Sequence, residues 1–144
     1  FHYCRRQWSL LDNGMLKYQW LGDFDRDMLK IAQENRLFDQ KMGDLLLNKE
    51  PEKTLVFYRK GLLFAFNFHP CQSLTNVLVP VPRPGEYTVE LCTDDDKYGG
   101  FHQVAHIPYP TKRFDGKDYV ELYLPARTAI VLKEHVILPK EEKK

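Results

Sequence analysis

Two aromatic-rich apolar runs around a glycine turn constrain this chain more than any other feature. They are TLVFYR, residues 54–59, and LLFAFNF, residues 62–68, with Lys60–Gly61 between them. Leu, Val, Phe and Tyr on both sides of a short Gly-containing turn predict a β-hairpin. Such side chains pack well on a pleated surface, and Gly accepts the positive φ of a tight turn. The second run closes at Asn67-Phe68-His69-Pro70, because Pro70 cannot continue a central strand. The hairpin carries no recognisable chemistry, so function is read from its surroundings.

Strand patterns dominate from Gly43 onward. Strands are predicted at 44–48, 54–59, 62–68, 76–79, 87–92, 119–124 and 129–133. In Tyr87-Thr88-Val89-Glu90-Leu91 and Val120-Glu121-Leu122-Tyr123-Leu124, apolar and polar positions alternate with period two, as in antiparallel sheets with one wet face. Turn chemistry separates the strands at Lys49–Glu52, Pro80–Gly85, Asp115-Gly116-Lys117 and Pro125-Ala126. Short strands at this spacing predict a mainly β chain, an antiparallel β-sandwich.

Residues 1–42 read differently. Phe24, Met28 and Ile31 fall on one helix face. Asp23 or Asp25 is placed to cap that helix, and Asp27 to add negative charge to its first turn. Tyr3–Leu11 is a second helical candidate, closed by Asp12-Asn13-Gly14, and Leu16, Trp20 and Leu21 suggest a helical turn between the two. Two or three helices of this size do not enclose a core alone, so their apolar faces must pack on the β half or on a partner. The expected division is a helical segment, 1–42, and an all-β domain, 43–144.

Composition narrows the function classes. Lys+Arg 21 against Asp+Glu 20 leaves a net charge of +1, which gives no support for nucleic acid or a membrane surface as partner. The longest nearly apolar run, Leu62–Phe68, is far short of the roughly 20 residues that span a bilayer. Cys4, Cys71 and Cys92 are odd in number and irregular in spacing, so they form no disulfide framework; a reducing, cytoplasmic setting is expected. The tail KEEKK, 140–144, reads as a solvated terminus.

Candidate chemistry is sparse. His102 and His106 stand four apart, but Gly99-Gly100 before them and Pro108 and Pro110 after them disfavour a helix. They read as solvated loop histidines, with no metal or cofactor expected. Cys71 lacks an activating partner in sequence, and no nucleophile elbow, P-loop or dinucleotide fingerprint is present. The run Asp94-Asp95-Asp96 lacks EF-hand spacing and reads as an acidic turn held by local Asp side-chain bonds. Asp23, Asp25 and Asp27 sit too close together to flank a glycosidic bond. No catalytic residue is therefore assigned. Among the aromatic residues, 13% of the chain, Trp8, Trp20, Tyr98, Phe101 and Tyr109 are possible platforms for the C–H face of a sugar. Tyr98, in a Gly-flanked loop, is the preferred one; Trp8 and Trp20 read more readily as core residues.

The segment 1–28 (FHYCRRQWSLLDNGMLKYQWLGDFDRDM), the hairpin TLVFYRKGLLFAFNFHP, the TDDDKYGG loop and the closing strands 119–124 and 129–132 together resemble the C-terminal end of 1,4-α-glucan (glycogen/starch) branching enzymes of the eukaryotic type, in the α-amylase superfamily. The likeness covers nearly the whole chain, in order. It implies that 1–42 holds the last helices of a catalytic (β/α)8 barrel, and that 43–144 is the C-terminal sandwich of that superfamily. It also implies a parent that cleaves an α-1,4 glucan and transfers the fragment to a 6-hydroxyl through a covalent glycosyl-enzyme. Its catalytic carboxylates would precede Phe1, leaving this stretch inert. The implied partners are an α-glucan (glycogen, starch or maltooligosaccharide) and the barrel of the same chain. Tyr98, Trp8 and Trp20 are the expected glucan contacts. Asp94, Tyr98 and Gly99 are the expected domain-interface residues. Two departures stand out: Cys4 replaces a common alanine, and Val104–Asp118 is a variable region.

Overall fold

The computed structural model describes residues 7–39 and 42–136. Cys4, residues 3–6 of the Tyr3–Leu11 candidate and the charged tail lie outside these residues, while Trp8–Leu10 of that candidate forms a short 3-10 turn. Among the described residues, one α-helix, α1 (Tyr18–Glu34), precedes nine strands. They are β1 (Asp44–Lys49), β2 (Thr54–Arg59), β3 (Leu62–Asn67), β4 (Leu74–Val81), β5 (Gly85–Cys92), β6 (Tyr109–Pro110), β7 (Lys112–Phe114), β8 (Lys117–Leu124) and β9 (Thr128–Val136). All pair antiparallel, in a six-stranded sheet ordered β1-β2-β3-β9-β5-β6 and a three-stranded sheet ordered β4-β8-β7.

The opening hairpin is β2–β3. Arg59 pairs with Leu62, leaving Lys60 and Gly61 as a two-residue loop with φ of 50° and 80°. Positive φ at both positions matches the right-handed twist of the flanking strands. Asp115-Gly116 closes β7–β8 in the same way, with φ of 47° and 75°.

Period-two alternation sorts the hairpin side chains between two cores. Val56, Tyr58, Leu63 and Ala65 face the second sheet and pack with Val79, Val120, Leu122, Leu124, Ile130 and Leu132. Leu62 and Phe64 point to the other face, where Leu91, Val131, Leu37, Ala32, Phe24, Ile31 and Tyr98 form a second cluster. That second cluster fastens α1 to the outside of the six-stranded sheet.

Four sequence expectations need correction. The helix begins at Tyr18, so Asp23, Asp25 and Asp27 lie inside it and cap nothing; Lys17 holds the N-cap without a side-chain hydrogen bond. No breaker separates Tyr18 from Phe24 except Gly22, and Gly22 lets Leu11 approach: a Cβ there would meet the Leu11 side chain at 2.8 Å. Met28 is half exposed, and Ala32 takes its place on the buried face with Phe24 and Ile31. The turn expected at Pro80 starts later, since β4 runs on to Val81. Within its sheet β4 pairs only with β8, and an edge strand tolerates proline. Finally, the alternation in β5 breaks. Val89 pairs with Leu132 and Leu91 with Val131, so a bulge absorbs Glu90 and turns Leu91 outward to the helix cluster.

Candidate functional site: the helix–loop junction and the adjoining groove

The segment after β5 joins the helix to the sandwich. Asp94 and Asp95 are buried, and a short 3-10 turn, Asp96–Tyr98, follows. The Asp94 carboxylate accepts hydrogen bonds from the Phe101 N–H at 3.0 Å, the Gln103 N–H at 2.8 Å and the Gln103 side-chain amide at 3.2 Å. A carboxylate so satisfied tolerates burial and dictates the path of the loop. Asp95 meets His106 Nε2 at 2.7 Å, and the His106 ring stacks on His102 with centroids 5.6 Å apart. The acidic run is thus held by its own side-chain bonds. The described residues contain no cluster of three His, Cys, Asp or Glu suited to a metal ion.

Tyr98 faces α1. Its hydroxyl donates to Asp27 Oδ2 at 2.5 Å, and its ring meets Phe24 edge-on at 5.2 Å. Lys97 Nζ reaches the same Asp27 oxygen at 2.9 Å. These two donors, Tyr98 first, hold the Asp27 carboxyl below the ordinary carboxylate range. Burial, and then the bond to Asp27, push the Tyr98 phenol up to about 12, so it stays a donor at neutral pH. Gly99, with φ of 76°, lies against the Trp20 indole so closely that a Cβ would sit 2.3 Å from the ring. Gly100 is equally tight against the Asp94 backbone, at 2.2 Å. The YGG sequence is therefore a close-approach element.

Of the aromatic residues singled out in the sequence, Tyr98 and Trp20 come together at this junction, while Trp8 is 65% exposed in a short 3-10 turn. Asp27 reads in sequence only as a helix first-turn charge because its partners are 70 and 71 residues away in the chain.

Beside the junction runs a groove of about 610 Å³, lined among others by Ser73, Asp94, Phe101, Gln103 and Arg127. One wall is the Asp94-clamped loop. The other is stitched from two turns: Asn67 donates to the Gln72 and Leu124 carbonyls, His69 Nδ1 accepts from the Gln72 N–H, and Ser73 Oγ accepts from the Ala126 N–H. Cys71 is exposed at this wall, whereas Cys92 is buried and its thiol is pushed up to about 12 by burial.

Two antiparallel sheets with a helix pinned to the outer face by a Tyr-Gly-Gly loop define the class. Residues 47–135 match the family of the alpha amylase, C-terminal all-beta domain, and the chain belongs to that family. It is similar to 1,4-alpha-glucan-branching enzymes of Yarrowia lipolytica (35% identity over 136 residues), Aspergillus oryzae (37% over 136) and Equus caballus (34% over 136). These alignments cover 91–92% of this chain and 20% of each relative. The chain thus spans about a fifth of the length of the curated relatives it matches.

Proposed function

We propose that this chain serves as the non-catalytic C-terminal domain of a 1,4-α-glucan branching enzyme, acting in the cytoplasm on glycogen or starch. The parent cleaves an α-1,4 glucan and transfers the fragment to a 6-hydroxyl. The carboxylates that do this belong to a (β/α)8 barrel outside the present residues. The division falls at 1–42 and 43–144, with α1 as one of the last barrel helices and Asp94, Tyr98 and Gly99 as domain-interface residues.

The observation that carries this reading is the convergence of Tyr98 and Lys97 on Asp27 of α1. A sandwich that spends a charge-assisted pair, an aromatic contact and a glycine close approach on one helix is built to hold that helix in place. Support also comes from the outer face of the six-stranded sheet. Phe57 stacks on Phe64 at 4.7 Å and on Phe66 at 5.8 Å, and Phe66 stacks on Phe68 at 5.4 Å. Phe68 and Leu45 are about 60% exposed there, an apolar strip of the kind that marks an interaction surface.

A second reading, a carbohydrate-binding module using Tyr98, Trp8 and Trp20, draws support from the exposure of Trp8. The junction reading is preferred because Tyr98 and Trp20 already commit ring or hydroxyl to the helix–loop contact. Incubating the chain with amylose and following new α-1,6 linkages tests the proposal. No branches are expected; branch formation would overturn it.

A further inference from the structure

We propose that the groove between the Asp94-clamped loop and the turn joining β8 to β9 binds a neutral hexose chain, with Phe101 as its stacking platform. Building on the function proposed above, that chain is an α-1,4-glucan.

The first observation is Phe101 itself. It is 81% exposed, yet the backbone on both sides of it is fixed: its own N–H and that of Gln103 donate to buried Asp94, and the His102 N–H donates to the Asp94 carbonyl at 2.7 Å. His102 is held at φ of 52°, a left-handed conformation that a non-glycine residue adopts at a cost. A buried carboxylate and a strained backbone are thus spent on presenting an apolar ring to solvent. A ring left exposed by a floppy loop would need no such support. The negative face of a rigid aromatic ring suits the C–H face of a hexose.

The second observation is the opposite wall. Arg127 is exposed and also left-handed, with φ of 56°, and its N–H donates to the His69 carbonyl at 3.2 Å. Among the described residues its guanidinium enters no ion pair. The Gln103 side chain uses its amide N–H on Asp94, so its carbonyl oxygen remains an acceptor, and Ser73 Oγ, which accepts from Ala126, keeps its own proton to donate. Donors and acceptors of both kinds therefore converge on one rigid groove beside one exposed ring. At about 610 Å³ it has the size of a small-molecule site. Hydroxyl groups, which both donate and accept, match that set better than an anion, which would face the Asp94 carboxylate in the groove lining. Tyr98 forms part of the lining through its loop, while its hydroxyl stays with Asp27.

The test is titration of the 144-residue chain with maltoheptaose, followed by calorimetry and by saturation transfer from protein to sugar. The expected result is binding that weakens by about tenfold or more in F101A and by several-fold in R127A, with cellohexaose binding more weakly than maltoheptaose. Both side chains are exposed, so the thermal midpoints of these variants should match the parent chain. The proposal is overturned if maltoheptaose does not bind, or if F101A binds as well as the unmodified chain. It is equally overturned if W8A abolishes binding while F101A does not. The function proposed above fails separately, by loss of branching when this chain replaces the aligned segment of a branching enzyme, an outcome that requires no sugar on Phe101.

Discussion

The Tyr98 hydroxyl donates to the Asp27 carboxylate across 71 positions of sequence, and Lys97 contacts the same oxygen. Two donors on one acceptor make Asp27 the polar anchor by which the loop after β5 holds α1, beside the Tyr98–Phe24 and Gly99–Trp20 contacts. Replacing Tyr98 with Phe keeps the ring on Phe24 and removes only the bond. Y98F should lose about 1–2 kcal/mol in urea unfolding. In Y98F/D27N the two losses should fall short of additive, since both act on one interaction.

The same contact sets a pH dependence. The Asp27 carboxyl is lowered in the folded chain from its ordinary 3.8. Its contribution is therefore complete above 3.8 and is lost as pH falls below it toward the folded value. At the alkaline end, Tyr98 is raised from 10.0 to about 12, so folding favours its protonated form and stability falls as pH climbs through that interval. D27N should flatten the acid limb of a stability–pH profile, and Y98F should reduce the slope of the alkaline limb.

Gly100 and Gly116 offer a matched comparison. A Cβ on Gly100 would lie 2.2 Å from the Asp94 backbone, whereas one on Gly116 meets nothing within 4 Å and suffers only from its φ of 75°. G100A should be severely destabilised or fail to fold. G116A should cost about 1 kcal/mol, the ordinary penalty of a left-handed alanine. Thermal melts of the two variants decide the point.

Much of the sandwich was legible in the sequence because burial on one face writes itself as period two. The Lys60–Gly61 and Asp115–Gly116 turns were legible because only certain residues accept paired positive φ. What escaped was long-range. Trp20, in the first turn of α1, meets Gly99 far along the chain, and the outward turn of Leu91 depends on a bulge that no local pattern announces. β6 and β7 were missed because Tyr109–Pro110 and Lys112–Phe114 are too short to show alternation. At the junction, Tyr98 was visible as an aromatic beside two glycines, but its acceptor Asp27 read as a first-turn charge on a helix.

Asp94 should prove more than a surface acid. In D94N one acceptor oxygen becomes a donor that opposes the Phe101 or Gln103 N–H. The expected outcome is a loss of about 1–3 kcal/mol and faster amide exchange at Phe101 and Gln103, with exchange in β2 and β3 following only the global change.

The cysteines divide by burial. Cys71 should alkylate in the native chain, while Cys92, buried with its thiol pushed up to about 12, should react only after unfolding. Peptide mapping after a short iodoacetamide pulse reads both positions at once.

The central claim is that this chain supplies a working C-terminal domain to a glucan-branching enzyme. The most direct measurement replaces the aligned segment of the Yarrowia lipolytica branching enzyme with this chain and counts α-1,6 linkages formed on amylose. Branching should persist in the chimera and fall when G99A is added to displace Trp20 from the junction. A chimera that folds, as judged by its melt, yet forms no branches would contradict the claim.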